Sequence, residues 1–310
     1  MSGKAPTDSP EYTFESLAEG VVFAHARPGS TALANSGIVD LGGSSIVVDT
    51  ALTLQAAREL RSAATSALGR PPALTFNTHW HLDHLLGNQL FTDGPIFATE
   101  RTIQLLAQHR EELLTELDPA ALERDLGTFE SELRASTHPA ARAAYAEVVG
   151  INRALLAEAP AIRLTAPTDG FDQEFALPGT RGARLISYGA GHTESDGLLF
   201  LPRERLLFAG DLIVNHRHPN LTSGDPEHWL VVLDAIDRLR PSQIVPGHGA
   251  IATPQTVQEI REYLHALLAI SHQPGKVRIP PRYKEWIDPA QFERNLTFLR
   301  ERRARAPPAE

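Results

Sequence analysis

The sequence predicts an α/β fold in which two strand-rich halves are separated by a helical insertion. Three observations carry that expectation. Short apolar runs bounded by glycine open the chain, at Val21-Val22-Phe23-Ala24-His25, Thr31-Ala32-Leu33-Ala34-Asn35 and Ser45-Ile46-Val47-Val48-Asp49. From about Glu100 to Glu158 strand signals almost vanish, and Leu, Ala, Glu and Arg recur at helical spacing. Strand signals then return from Ile162 onward.

Taken in order, the polar, Pro-bearing stretch Met1 to Pro10 reads as a disordered lead-in, with residues 1–15 flexible. Leu52 to Leu68 is a helix, ended by Gly69 and Pro71-Pro72, and Ala73-Leu74-Thr75-Phe76 is the strand that follows it. Ile96-Phe97-Ala98 is another short strand. Breaks at Asp118-Pro119 and His138-Pro139 divide the insertion, residues 100–158, into three helices. That insertion is a lid, an oligomer contact or packing on the sheet; the pattern alone leaves the three open. Strands are expected at Ile162-Arg163-Leu164, Phe171 to Phe175 and Ala183 to Tyr188. Leu198 to Leu201 and Leu206 to Ala209 flank Pro202-Arg203-Glu204-Arg205 as a hairpin ending at Gly210-Asp211. A helix from Pro226 to Leu239, a strand Ser242 to Val245, and helices over Thr253 to Ser271 and Asp288 to Arg305 complete the chain, with 274–310 a C-terminal helical extension of one domain.

Composition narrows the chemistry. The net charge of −9 and the absence of a long basic block leave no electrostatic footprint for nucleic acid or an anionic membrane. The cluster Arg300 to Arg305, before Ala306-Pro307-Pro308, suits a solvated helix end. No stretch approaches the ~20 apolar residues of a membrane span, and the N-terminus lacks a signal-peptide core, so the expected compartment is the cytoplasm. There is no cysteine, which removes disulfides, thiolate catalysis and Cys-rich zinc sites.

Among the 13 histidines one stretch stands apart. Asn77-Thr78-His79-Trp80-His81-Leu82-Asp83-His84 places three imidazoles and a carboxylate directly after a strand. On an extended segment His79 and His81 point to one face, so one cation can take both. Asp83 suits an N-cap for the apolar segment Leu85 to Leu90, which sends Asp83 and His84 another way, toward a second cation. Nitrogen and oxygen donors of this kind suit zinc and its neighbours. Asp49, His192, Asp211 and His248 each close an apolar run. The last three are bracketed by small residues, which lets the backbone turn and aim the side chain over the sheet's end. Asp49 is either a turn residue or a carboxylate reaching beneath the site.

These motifs, in this order, resemble the metallo-β-lactamase superfamily from roughly Val21 to Ser271: Val47-Val48-Asp49-Thr50, Thr78 to His84, Gly191-His192-Thr193, Phe208-Ala209-Gly210-Asp211 and Pro246-Gly247-His248-Gly249. The resemblance implies a four-layer αβ/βα sandwich. It implies one metal on His79, His81 and His192, a second on Asp83, His84 and His248, Asp211 bridging them, and Asp49 orienting ligands from below. Two divalent ions are implied, zinc first, with manganese or iron according to supply. Between cations ~3.5–4 Å apart, water loses a proton near neutral pH and becomes the nucleophile, with Asp83 orienting it or carrying a proton to the leaving group.

The implied reaction is metal-dependent hydrolysis of an ester, lactone or thioester bond in a small molecule. Metallo-β-lactamases proper carry Cys or Ser where Asp211 sits, which ranks β-lactams as an alternative; phosphodiesters rank there too, because the acidic charge and helices inserted before His192 instead of after Asp211 disfavour the nucleases of the superfamily. Val214 stands where quorum-quenching lactonases carry Tyr, and Gly249 where glyoxalase II carries an acidic residue. The overall pattern is also similar to the SoxH-like branch. Trp80, His216, His218 and Asn220 are candidates for substrate contact. A di-metal redox or sensor module is the alternative of another class; members of that type usually replace His81 with Glu.

Overall fold

The computed structural model describes residues 5–305, so Met1 to Lys4 of the lead-in and Ala306 to Glu310 lie outside the described residues. The chain opens with four antiparallel strands, β1 (Tyr12–Ala18), β2 (Val21–Ala26), β3 (Ser36–Asp40) and β4 (Ser45–Val48). Helix α1 (Leu54–Leu68) starts on Thr53, whose hydroxyl accepts from the Ala56 amide, and ends on Gly69 in the left-handed region. It returns the chain to β5 (Leu74–Phe76), parallel to β4. A four-residue helix, α2 (Leu82–Leu85), and a 3-10 turn lead to β6 (Ile96–Thr99).

The insertion is four helices: α3 (Glu100–Gln108), α4 (Arg110–Glu116), α5 (Pro119–Ala135) and α6 (Pro139–Glu158). The extra break falls at His109, where no proline or glycine announces it. Strand β7 (Asp169–Phe171) closes the first sheet, and β8 (Glu174–Ala176) opens the second. Strands β9 (Arg184–Ser187), β10 (Gly197–Leu201), β11 (Leu206–Val214) and, after helix α7 (Pro226–Leu239), β12 (Gln243–His248) complete it. Helices α8 (Pro254–Ile270) and α9 (Pro289–Arg305) follow.

The sheets run β1-β2-β3-β4-β5-β6-β7 and β12-β11-β10-β9-β8. Side-chain alternation explains how they stack. Val21 and Phe23, Ile46 and Val48, and Leu206 and Phe208 face the core between the sheets. Their neighbours Val22, Ala24 and Val47 turn to the other side of the first sheet, against Ala56, Ala57 and Leu60 of α1. Leu207 and Ala209 turn outward from the second sheet, against Trp229 and Ile236 of α7, Ile260 and Leu264 of α8, and Phe292 and Leu296 of α9. The order is therefore helix, sheet, sheet, helix, the sandwich expected. Strands covered on both faces read as continuous apolar runs instead of alternating ones.

Several local expectations are corrected. The lead-in gives way to regular structure earlier than expected: β1 begins at Tyr12, with Tyr12 and Phe14 buried against α1. Thr31 to Asn35 is irregular and the strand begins at Ser36, because Leu33 adopts a φ of 62° that no strand tolerates. Ile162-Arg163-Leu164 is also irregular; Ile162 and Leu164 bury themselves against the insertion helices without pairing. Phe171 to Phe175 is two strands that belong to different sheets. Within the insertion, Glu158 at the end of α6 accepts from the Leu54 and Gln55 amides at 2.7 and 2.9 Å, supplying orphan donors of α1 with a carboxylate.

Candidate metal centre

Asp49, directly after β4, has a φ of 57°, which turns its carboxylate under the loop that leaves β5. It is buried and accepts from the Thr78 amide at 2.8 Å, the Thr78 hydroxyl at 2.9 Å and His84 Nδ1 at 2.8 Å. Of the two readings of Asp49, the structure selects the reach beneath the cluster. The loop is pinned further by Asn77 and Asn88, whose side-chain amides bond each other at 3.0 and 2.8 Å, and by Asn77 Nδ2 on the His84 carbonyl.

His79 and His81 are not on a strand: residues 78–80 bend after β5 and His81 is irregular, yet the two rings still converge. Nε2 of His79 lies 3.2 Å from Nδ1 of His81, and Nε2 of His192 lies 3.0 Å from the same atom. Asp83 is not an N-cap: His81 occupies that position of α2, and Asp83 stands in its first turn. Its Oδ2 is 3.5 Å from His84 Nε2 and 3.3 Å from His248 Nε2. Asp211 is inside β11 and not at its end. Register shifts around Gly210, whose φ is 51°, bulge the strand and swing the carboxylate out of the ladder. Asp211 Oδ1 lies 3.4 Å from His84 Nε2, and Oδ2 lies 3.4 Å from Nε2 of both His192 and His248. The close fit needs glycine at 247, where a Cβ would lie 1.9 Å from Asp211 Oδ1.

Each imidazole has its outer nitrogen occupied. His79 Nδ1 meets the Thr78 hydroxyl at 3.0 Å, His84 Nδ1 meets Asp49, His192 Nδ1 the Asn220 carbonyl at 2.9 Å, His248 Nδ1 the Leu33 carbonyl at 3.1 Å, and His81 Nε2 the Ser223 hydroxyl at 3.1 Å. The inner nitrogens all face one another. That is the arrangement in which outer partners hold a metal-binding imidazole in the right tautomer and orientation. Two buried atoms at the centre, His84 Nε2 and Asp211 Oδ1, have no hydrogen-bond partner. Three sets of donors lie within 4.8 Å of one another: His79, His81 and His192; Asp83, His84 and His248; and His79, His84 and Asp211. The first two are the two expected ligand sets.

The electrostatics divide the cluster in the same way. Burial holds His79 well below the ordinary imidazole range, with His84, His192 and His81 adding to the effect. Burial pushes His81 down to about 3 and lowers His192 as well. Burial therefore favours the neutral form of all three imidazoles. Burial also opposes charge on His84 and His248, but Asp83, Asp49 and Asp211 lift His84 well above its usual value, and Asp211 and Asp83 lift His248 to about 9. The same contacts overcome burial to hold the carboxyls of Asp83 and Asp211 low. Without a cation, protons balance the two carboxylates; a divalent ion would displace them. The donor set, the tautomers and the unpartnered central atoms fit metal.

The substrate-contact candidates separate. Trp80 stacks on His109 of the insertion at 4.7 Å and 7°, and meets His81 edge-on at 4.9 Å. His216 is exposed, at a φ of 54°. The side chain of Asn220 is taken up by Thr222 and Gln291, and its carbonyl is what reaches the site. His218 is corrected: it is buried among Tyr263, Trp286 and Phe292, with Nδ1 3.0 Å from the Tyr263 hydroxyl, so it belongs to the aromatic core. Burial pushes His218 down to about 4 against the pull of Asp288. The unfolded chain therefore binds this proton more readily, and stability should fall as pH drops from the ordinary 6.5 toward about 4. His218→Phe keeps the ring without the proton. It should flatten that part of the urea-midpoint profile relative to the unchanged chain; an unaltered slope would place the acid sensitivity elsewhere.

Ser223, Leu33 and Asp196 carry no signature that would single them out in the sequence, and Thr78 stands inside the Thr78 to His84 motif without a role of its own there. Asp196 accepts from the Thr193 amide at 3.1 Å and hydroxyl at 2.8 Å, fixing the turn that carries His192. A cavity of about 620 Å³ lies beside this turn and includes Arg101, Arg184, Tyr188 and Glu194, but none of the seven clustered residues lines it.

The sequence model of the metallo-beta-lactamase superfamily matches residues 31–248, well over half of the chain. The chain belongs to this superfamily. A curated metallo-beta-lactamase type 2 of Bacteroides fragilis is 25% identical over 118 residues, which spans 36% of this chain and 47%, about half, of that protein. Among solved structures, a metallo-beta-lactamase from Pontibacter korlensis superposes with a TM-score of 0.58 at 17% identity, covering 82% of this chain and 99% of that one. The metallo-beta-lactamase FIM-1 from Pseudomonas aeruginosa, in its mono-zinc form, gives 0.57 at 19% identity, covering 85% and 98%. Those likenesses show the superfamily sandwich. Among the described residues no helix is long and apolar enough to cross a membrane.

Proposed function

We propose that the chain is a metal-dependent hydrolase with two ions per chain, acting on an ester, lactone or thioester bond of a small molecule. The observation that carries this reading is Asp211, set between the two donor groups, 3.4 Å from imidazole nitrogens of His84, His192 and His248. His79, His81 and His192 would hold one ion, Asp83, His84 and His248 the other, and Asp211 both. Divalent ions bound there would supply Lewis acidity and lower the pKa of water near neutral pH. Zinc suits these nitrogen and oxygen donors, and manganese or iron can replace it.

The chain's own residues provide the rest. Asp49 orients His84 directly and His79 through the Thr78 hydroxyl, so one buried carboxylate steadies both halves. Asp83 keeps 16% of its side chain exposed and can pass a proton between the cluster and a leaving group at Oδ2. Trp80, beside His81, and exposed His216 are the side chains proposed to meet the substrate.

A second reading, β-lactam hydrolysis, is favoured by the names of the relatives. Asp211 is the feature against its leading, since by the resemblance described above such enzymes carry Cys or Ser there. The test is turnover by zinc-supplemented protein of activated ester, lactone, thioester, phosphodiester and β-lactam substrates, with metal content measured by elemental analysis. Close to two ions per chain and hydrolysis of the acyl substrates are expected. Hydrolysis confined to β-lactams or phosphodiesters would replace the substrate class, and a metal content of zero would end the reading.

A further inference from the structure

Helix α9 lies beyond the span matched to the superfamily, yet its residue Asn295 reaches the loop that closes over the imidazoles. Asn295 is 0% exposed. Its Oδ1 accepts from the Leu221 amide at 3.1 Å and its Nδ2 donates to the Pro219 carbonyl at 2.7 Å. Gln291, one turn earlier, donates to Asn295 Oδ1 at 2.8 Å. The Leu221 N–H and the Asn220 C=O are the two ends of a single planar peptide unit. The carbonyl end lies 2.9 Å from His192 Nδ1. A carbonyl cannot donate, so the proton of this bond sits on Nδ1, and Nε2 keeps its lone pair toward His81 and Asp211.

One rigid plane is thus gripped at its amide end by the C-terminal helix and at its carbonyl end by a ligand-type imidazole. Hydrogen bonds in such a chain polarise one another, so the grip on the amide also strengthens the carbonyl as an acceptor. The same loop brings Ser223 Oγ to 3.1 Å from His81 Nε2. It then passes so close to the His192 turn that a Cβ on Gly224 would lie 2.1 Å from the Gly191 carbonyl oxygen. The loop therefore has little room to shift without moving both rings.

We propose that Asn295 is a positioning residue for the metal centre, acting through the Asn220–Leu221 peptide to set the ring orientation and tautomer of His192. The inference rests on the metal-centre reading given above. Losing a partner that orients a metal ligand typically costs about 10–100-fold in metal affinity.

The test is competition between the full-length protein and a chromophoric chelator for zinc. Asn295→Ala should retain its far-UV circular dichroism and bind zinc about 10–100-fold more weakly than the unaltered chain. Arg300→Ala is the control: it loosens the same helix from the Gln273 and Gly275 carbonyls and should leave zinc affinity unchanged. Zinc affinity of Asn295→Ala within about twofold of the unaltered chain, well inside the range expected for an orienting partner, would overturn the proposal. An equal loss in Arg300→Ala would do the same. An unaltered chain that binds no zinc would remove the metal-centre reading, and this inference with it. Should Asn295→Ala fail to fold, the unaltered chain still decides: zinc loading is expected to move the Leu221 amide resonance, and a resonance that stays in place would refute the coupling.

Discussion

Asp211→Ala is expected to lower kcat on the hydrolysed substrate by more than about a hundredfold, beyond the range typical of groups that only orient ligands. Asp211 touches three imidazoles from both donor groups, so its loss opens both at once. His192→Ala should lose a comparable factor by opening only one group. The expected metal contents differ accordingly. His192→Ala should keep an ion on Asp83, His84 and His248, whereas Asp211→Ala should weaken both. The fold should survive in each, because β11 retains its pairing with β10 and β12. Steady-state turnover, elemental analysis and circular dichroism together check this. Unchanged turnover in both variants would place the chemistry outside the cluster.

Metal loading should also stabilise the chain strongly. A ligand that binds only the folded state adds about 4 kcal/mol at a free concentration a thousand times its Kd. At about 2 °C per kcal/mol, that is a rise in Tm of roughly 8 °C. In the apo cluster Asp83 and Asp211 are balanced only by protons on His84 and His248, which a divalent ion would displace. Thermal melts with EDTA and with zinc should therefore diverge, and Asp211→Ala should close most of the gap. Superimposable melts would mean that the donors hold no ion tightly.

Much of this was readable from residue order. The regular elements α1, α7, α8 and α9 followed from spacing and breakers to within one or two residues at most ends. The errors share a cause. Thr31 to Asn35 and Ile162 to Leu164 have the composition of strands, but their backbone hydrogen bonds go elsewhere, and composition cannot say where. His218 looked like its neighbour His216 in the sequence; burial against Tyr263 and Trp286 separates them, and burial is a property of the whole packing.

By itself, the sequence determined the donor inventory. With no cysteine and its histidines and aspartates at the ends of apolar runs, a metal centre here could only be built from nitrogen and oxygen. It also determined the family, because five short motifs in order need no tertiary knowledge to be seen. Only the tertiary structure decided how the donors are held. Asp49 serves two rings, and the outer nitrogens of His248, His81 and His192 rest on Leu33, Ser223 and Asn220, groups that lie 215, 142 and 28 positions away in the chain. Two of those partners are main-chain carbonyls, which every residue carries. Their significance comes from where the fold brings them, and that is why no reading of side-chain types could have picked them out.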